Sequence, residues 1–211
     1  LKILVVNPYY GGSLPTAKYC VRALNEMGHH AESVDCDKFA EGFFSIKQTT
    51  RNKINEESLS NQFGHFMGQF IAAKVADYQP DLILALAQAP LTPEAIKNLK
   101  QLNIPIAFWF VEDFRTLSYW KEIASCYDYF FTIQRGEFFD ELLSLGVNNF
   151  YYLAQGCLPE VHREINLPLE DINQYSADVS FMGAGYYNRV QSFPRLLNHD
   201  FKIWGTEWAL E

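Results

Sequence analysis

The chain has 211 residues, a mass of 24.3 kDa, 48% hydrophobic residues and a formal net charge of −8. That is enough apolar material for one large domain or for one domain and part of another. An acidic chain with no basic run longer than two residues is poorly suited to a phosphate backbone, which excludes nucleic acid as the expected partner. No stretch of 18 apolar residues offers a membrane span.

Taken in chain order, Leu1 to Val6, "LKILVV", is a short continuous apolar run, as expected for a strand buried on both faces. The turn-rich "NPYYGGSLP" follows, and then Ala17, Cys20, Val21, Leu24 and Met27 recur at helical spacing until Gly28, a natural stop. "HAESVD" reads as a second strand. The segment from about Asp37 to Ser60 is polar and irregular and is expected to be a long loop with at most a helical turn. Residues 61–78 carry Phe63, Phe66, Met67, Phe70 and Ile71 on a helical period.

"DLILALA" (Asp81 to Ala87) is a third buried strand. Thr92 as N-cap and Pro93 at the first helical position open the next helix. "IPIAFWFV", "DYFFTI" and "NNFYYLA" give three more strands, with the helix of "GEFFDELLSLG" between the last two. Strand and helix alternate, which predicts right-handed crossovers and an α/β, Rossmann-like, doubly wound parallel sheet. From about Gln155 to Ala177 the pattern breaks into an extended connection. "DVSFMG", "RVQSFPRLLN" and "FKIWG" then restart it as a second α/β unit. The expected organisation is a first domain over 1–155, a linker over 156–177 and the beginning of a second domain over 178–209.

Four cysteines (Cys20, Cys36, Cys126, Cys157) are widely spaced without a C-x-x-C pair, which suggests reduced thiols and a cytoplasmic setting. Five histidines form no metal-ligand spacing, so no metal is expected. The chain starts at Leu1, on a strand, and ends in Leu210–Glu211, a pair that cloning often leaves before an affinity tag. These ends suggest a piece of a longer protein.

In a parallel sheet, ligands collect beyond the carboxyl ends of the strands, at the switch point. That rule selects four places. Gly11, Gly12 and Ser13 follow the first strand, where glycines let backbone approach a ligand and a helix start offers free N–H groups; a plain tight turn is the alternative. Gln88 follows the third strand, again as a ligand contact or as part of a turn. Glu112 and Asp113 end the fourth strand. A carboxylate there can take a proton from an acceptor hydroxyl, and Asp113 is preferred because it lies further beyond the apolar run. Arg115 can instead pair with it as a structural salt bridge. Gly183, Gly185 and Arg189 follow the first strand of the second unit, where a guanidinium can bind two phosphate oxygens at once, or is simply a surface arginine.

Several of these stretches resemble a family. "NPYYGGSLPTAKYCVRALNEMGHHAESVD" is similar to the opening of two-domain glycosyltransferases of the GT-B type, and "YYLAQGCLPEVH" to the stretch where such enzymes leave their first domain. "DVSFMGAGYYNR" and "FKIWGTEW" resemble the start of the nucleotide-sugar domain of CgeB-like, spore-maturation-type members. The resemblance implies transfer of a sugar from a nucleotide-diphosphate donor to an acceptor of unknown identity, with no cofactor beyond the donor. It also implies that the chain holds the acceptor-side domain and only part of the donor domain, and is inactive alone. The alternative is a non-catalytic Rossmann-like or periplasmic-binding-type module. A dinucleotide-dependent oxidoreductase is disfavoured, because "NPYYGGSLP" lacks the G-x-G-x-x-G fingerprint. If the strands after Asp178 form a separate sheet across a cleft, the transferase reading gains; if they complete the first sheet as a single compact domain, the binding module gains.

Overall fold

A computed structural model describes residues 1–208; Ala209 and the Leu210–Glu211 pair lie outside the described residues. The chain divides into two compact units, the first Leu1–Val161 and the second beginning at His162.

The first unit is built on six strands: β1 (Lys2–Val6), β2 (His30–Val34), β3 (Leu82–Leu86), β4 (Ile106–Phe110), β5 (Tyr129–Thr132) and β6 (Phe150–Tyr152). They lie in the order β2-β1-β3-β4-β5-β6, and every neighbouring pair is parallel. The fold class is therefore a Rossmann-like parallel α/β sheet. From β1 the chain steps one way to β2, then crosses back to the far side of β1 and continues outwards. The switch point falls between β1 and β3, where the loops leaving the two strands diverge.

The aliphatic run of β1 and the largely aromatic run of β4 are buried almost throughout. Phe108, Phe110, Phe130 and Phe138 pack with Trp120 in an aromatic core, Phe138 meeting Trp120 edge-on at 4.7 Å between ring centroids. The indole Nε1–H of the fully buried Trp120 donates to the Phe114 carbonyl at 3.1 Å, satisfying the one polar atom of that side chain.

Helix α1 (Ser13–Glu26) begins one turn earlier than the apolar period indicated and ends at Gly28, whose φ of +86° suits a left-handed cap. The segment expected to be a loop is instead largely helical. After a 3-10 turn over Cys36–Phe39 come α2 (Ala40–Thr49) and α3 (Lys53–Tyr78). The Asn52 side chain caps α3 by accepting from the Ile54 and Asn55 N–H groups. Helix α2 buries no residue completely, and α3 takes in the helix expected over 61–78 and extends it back to Lys53, with its buried Met67, Ile71 and Val75 all in the expected part. With so few inward positions, α2 and the opening of α3 carry little periodic signal.

Helix α4 (Pro93–Lys100) starts as expected, with Thr92 accepting from the Ala95 N–H at 3.2 Å. A Cβ at Gly68 would lie 2.9 Å from the Ala95 Cβ, so that glycine lets α3 approach the start of α4 closely. Helices α5 (Trp120–Ile123) and α6 (Glu137–Ser144) complete the first unit.

In the second unit, α7 (Leu169–Tyr175) occupies part of what was expected to be an extended connection. Strands β7 (Val179–Met182) and β8 (Phe201–Trp204) form their own parallel two-stranded sheet, connected through α8 (Tyr187–Ser192) and a 3-10 turn over Phe193–Leu196. Phe181, Phe193, Phe201 and Trp208 pack together in it, with the Phe193 and Trp208 rings stacked at 5.5 Å. None of its described residues is fully buried.

All four cysteines are free, Cys36 buried and Cys157 exposed. Among the described residues, no helix is long and apolar enough to cross a membrane.

Candidate functional site

The loops leaving β1, β3 and β4 bring three of the expected positions together. Gly11 has φ +94°, and a Cβ added there would lie 3.2 Å from Gln88 Oε1. Glycine is thus needed twice over, for the left-handed backbone and for the close approach. Gln88 is itself left-handed, with φ +65°, a conformation that non-glycine residues hold only when neighbours enforce it. Two bonds do so: its backbone N–H donates to the Tyr119 hydroxyl at 2.8 Å, and its side-chain Nε2–H donates to Glu112 Oε1 at 3.3 Å.

Glu112 is half-buried, and loss of solvent raises its carboxyl pKa above the ordinary 4.5. Asp113, one residue on, has the opposite environment. Its Oδ1 and Oδ2 accept from Arg115 Nε and Nη2 at 3.1 and 3.0 Å, and Oδ1 also accepts the Arg115 backbone N–H. The Arg115 guanidinium holds the Asp113 carboxyl below its ordinary value. The two adjacent acids thus point to different partners, and the salt bridge weighed as the alternative for Asp113 is formed.

Ser13 is buried, and its hydroxyl donates to the Ala87 carbonyl at 3.0 Å, tying the start of α1 to the end of β3. Gly12 is exposed, with open space where a Cβ would lie.

Three residues of this region went unmarked in the sequence. Tyr119 braces Gln88, and burial pushes its phenol pKa upward. The Gln134 side chain accepts the Phe114 N–H at 3.0 Å, fixing the turn that carries Glu112. Asn7, the first polar residue after the apolar run of β1, is fully buried, and neither its Oδ1 nor its Nδ2 has a hydrogen-bond partner. Its position at that strand end was the available signal. An unpaired buried amide costs about 1–3 kcal/mol. Asn7→Leu, which keeps the shape and removes the polar atoms, is expected to raise stability by about that amount in urea unfolding; a loss of stability would show that the amide is satisfied in solution.

An open hollow of about 180 Å³ is lined by Tyr9, Phe43, Phe63 and the Ala89–Thr92 segment, which follows Gln88 in the chain. The Tyr9 and Phe43 rings stack at 4.8 Å. Two larger hollows, near Lys100 and Asp128 and near Lys2 and Tyr78, open at the amino ends of the strands, away from the switch point.

In the second unit the glycines have a packing role. A Cβ at Gly185 would lie 2.1 Å from the Glu207 carbonyl oxygen, and one at Gly205 would lie 2.0 Å from that of Gly183. The Gly183 and Gly185 N–H groups donate to the Trp204 and Thr206 carbonyls. Arg189 Nη1 donates to the Ala184 carbonyl at 2.7 Å, and its guanidinium lies over the Phe181 and Tyr186 rings. The three residues expected to meet a diphosphate are thus adjacent, with Gly183 and Gly185 joined to the backbone that follows β8.

No protein-family model matches the chain, and no curated protein does. Among solved structures, it is similar to one described as "Spinosyn Rhamnosyltransferase SpnG", at 11% identity and a TM-score of 0.41 over 94% of this chain. It spans 61% of the length of that structure. The fold class rests on the six-stranded sheet itself.

Proposed function

We propose that the chain is the acceptor side, with the opening of the donor side, of a CgeB-like GT-B glycosyltransferase that uses a nucleotide-diphosphate sugar. The observation that carries this reading is Glu112: a half-buried carboxylate at the carboxyl end of β4, hydrogen-bonded to Gln88 and joined through it to the Gly11 turn. A raised carboxyl pKa makes a stronger base. In the proposed step, Glu112 takes the proton of the acceptor hydroxyl as that oxygen bonds to the anomeric carbon. The bond from that carbon to the diphosphate breaks, and its electron pair leaves with the nucleoside diphosphate.

Glu112 replaces Asp113 as the proposed base, since Arg115 already satisfies the Asp113 carboxylate and weakens it as a base. Gly11, Gly12 and Gln88 shape the acceptor side, with Ser13 holding the turn in place. On the donor side, Arg189 is proposed to bind the diphosphate through the guanidinium N–H groups not donated to Ala184. The separate β7-β8 sheet supports a two-unit transferase over a single-sheet binding module. A cytoplasmic setting belongs to the same proposal.

Calorimetric titration of the full-length protein with UDP, GDP, ADP and dTDP tests the donor side. At least one is expected to bind, and Arg189→Ala to weaken it about 10–100-fold, the worth of a charge-assisted hydrogen bond. No binding of any of the four would overturn the donor assignment.

A further inference from the structure

We infer that Tyr119 is a positioning residue: its hydroxyl locks Gln88 in the left-handed turn from which the Gln88 amide reaches Glu112. That Glu112 is the base rests on the transferase reading above. The hold of Tyr119 on Gln88, and through it on the carboxylate, does not.

The lock is built from the core outwards. Gln88, just beyond β3, holds φ +65° without being a glycine, and so depends on its neighbours to stay there. Its backbone N–H donates to the Tyr119 hydroxyl at 2.8 Å, 31 residues on. Burial pushes the Tyr119 phenol upward, so the oxygen stays protonated and accepts as a neutral group. The Tyr119 ring meets Phe110 edge-on at 5.9 Å between centroids, and Trp120, next in the chain, is fully buried. Tyr119 is therefore carried by the end of β4 and the core beneath it, and is not free to follow Gln88 if the turn relaxes.

Glu112, just beyond Phe110, receives the other end of the same residue. The Gln88 Nε2–H donates to Glu112 Oε1 at 3.3 Å, and among the described residues this is the one hydrogen bond to that carboxylate. The neighbouring charges are taken: Arg115 pairs with Asp113, and burial alone raises Glu112. On its far side the Gln88 Oε1 lies 3.2 Å from where a Cβ would stand at Gly11. An amide turned over would set its oxygen against the carboxylate, so only one orientation is favourable. Gln88 is thus held from both ends by residues anchored on β4. A single donor at one oxygen fixes how the Glu112 carboxylate points and favours its charged form.

The test reads the Glu112 carboxyl by carbon-13 NMR titration of the 211-residue chain, its signal assigned by its absence in Glu112→Gln. Tyr119→Phe keeps the ring and removes only the hydroxyl. It should raise the proton affinity of Glu112 about threefold or more, because the charged form loses its donor. Gln88→Ala removes that donor directly and should act at least as strongly. The two together should go no further than Gln88→Ala alone, since both act through one bond. A Glu112 titration unchanged in Tyr119→Phe, or effects that add in the double variant, would overturn the inference and leave Tyr119 a packing residue. Hydrogen exchange of the Gln88 amide in the unsubstituted chain covers a variant that fails to fold: protection is expected, and exchange at the rate of an open loop would overturn the lock. In the full-length protein, Tyr119→Phe should lower turnover of UDP-, GDP- or dTDP-sugars about tenfold, with KM within about twofold. Unchanged turnover, with Glu112→Gln impaired, would overturn the positioning role. Should Glu112→Gln turn over at the parent rate while Tyr119→Phe still moves the Glu112 titration, the base assignment falls and the lock stands.

Discussion

Trp120→Ala is expected to destabilise the first unit by about 3–5 kcal/mol, the usual loss when a large aromatic is removed from a packed core. The indole is fully buried among Phe110, Phe114 and Phe138, and those rings belong to β4, the turn after it, and α6. No single neighbour can close the hole. The substitution also leaves the Phe114 carbonyl without its donor, in the turn that carries Glu112. Trp120→Phe should lose less, because most of the ring volume stays. Urea unfolding with an unchanged slope and a lower midpoint is the expected signature; a loss below about 1 kcal/mol would mean that the turn and α6 repack freely.

Glu112→Gln should lower the rate of sugar transfer by about 10²–10⁴-fold, the range over which a positioned general base contributes. Asp113→Asn should change it only a few-fold, because that carboxylate is engaged by Arg115. Release of nucleoside diphosphate by the full-length protein from a panel of UDP-, GDP- and dTDP-sugars provides the readout. The reverse ranking would return the role to Asp113.

The same variant has a signature in stability. Burial raises the Glu112 pKa in the folded chain, so the folded state binds the proton more tightly than the unfolded state does. The resulting stability is complete below 4.5 and is lost as pH rises through the folded value. Glutamine cannot ionise, so the variant should gain on the parent across that window and match it below. Asp113 runs the other way. Its lowered pKa gives stability that is present above 3.8 and lost as pH falls through the folded value. That contribution is small, since the pair is substantially exposed.

The strands were legible because each is a compact apolar run, and β1 and β4 admit almost no polar residue. Their carboxyl ends then pointed to Gly11, Gln88 and Glu112 without any knowledge of contacts. What the sequence withheld depends on neighbours far along the chain. The choice between Glu112 and Asp113 turns on which side chain each meets, and adjacent acids look alike in a string of letters. Helix α2 and the opening of α3 up to Ser60 escaped because a mostly exposed helix needs few apolar positions, whereas the rest of α3 was legible over 61–78. Gly183 and Gly185 suggested approach by a ligand, whereas the backbone that approaches them is their own, some 20 residues on.

That last contact bears on how the proposed diphosphate would be held after β7. A phosphate cradle made of backbone amides is rigid and nearly indifferent to which cation accompanies the ligand. Here the amides of Gly183 and Gly185 are committed to the neighbouring loop. Recognition would fall to side-chain charge, so affinity there should fall modestly with added salt, and the identity of one arginine should matter more than the shape of the turn.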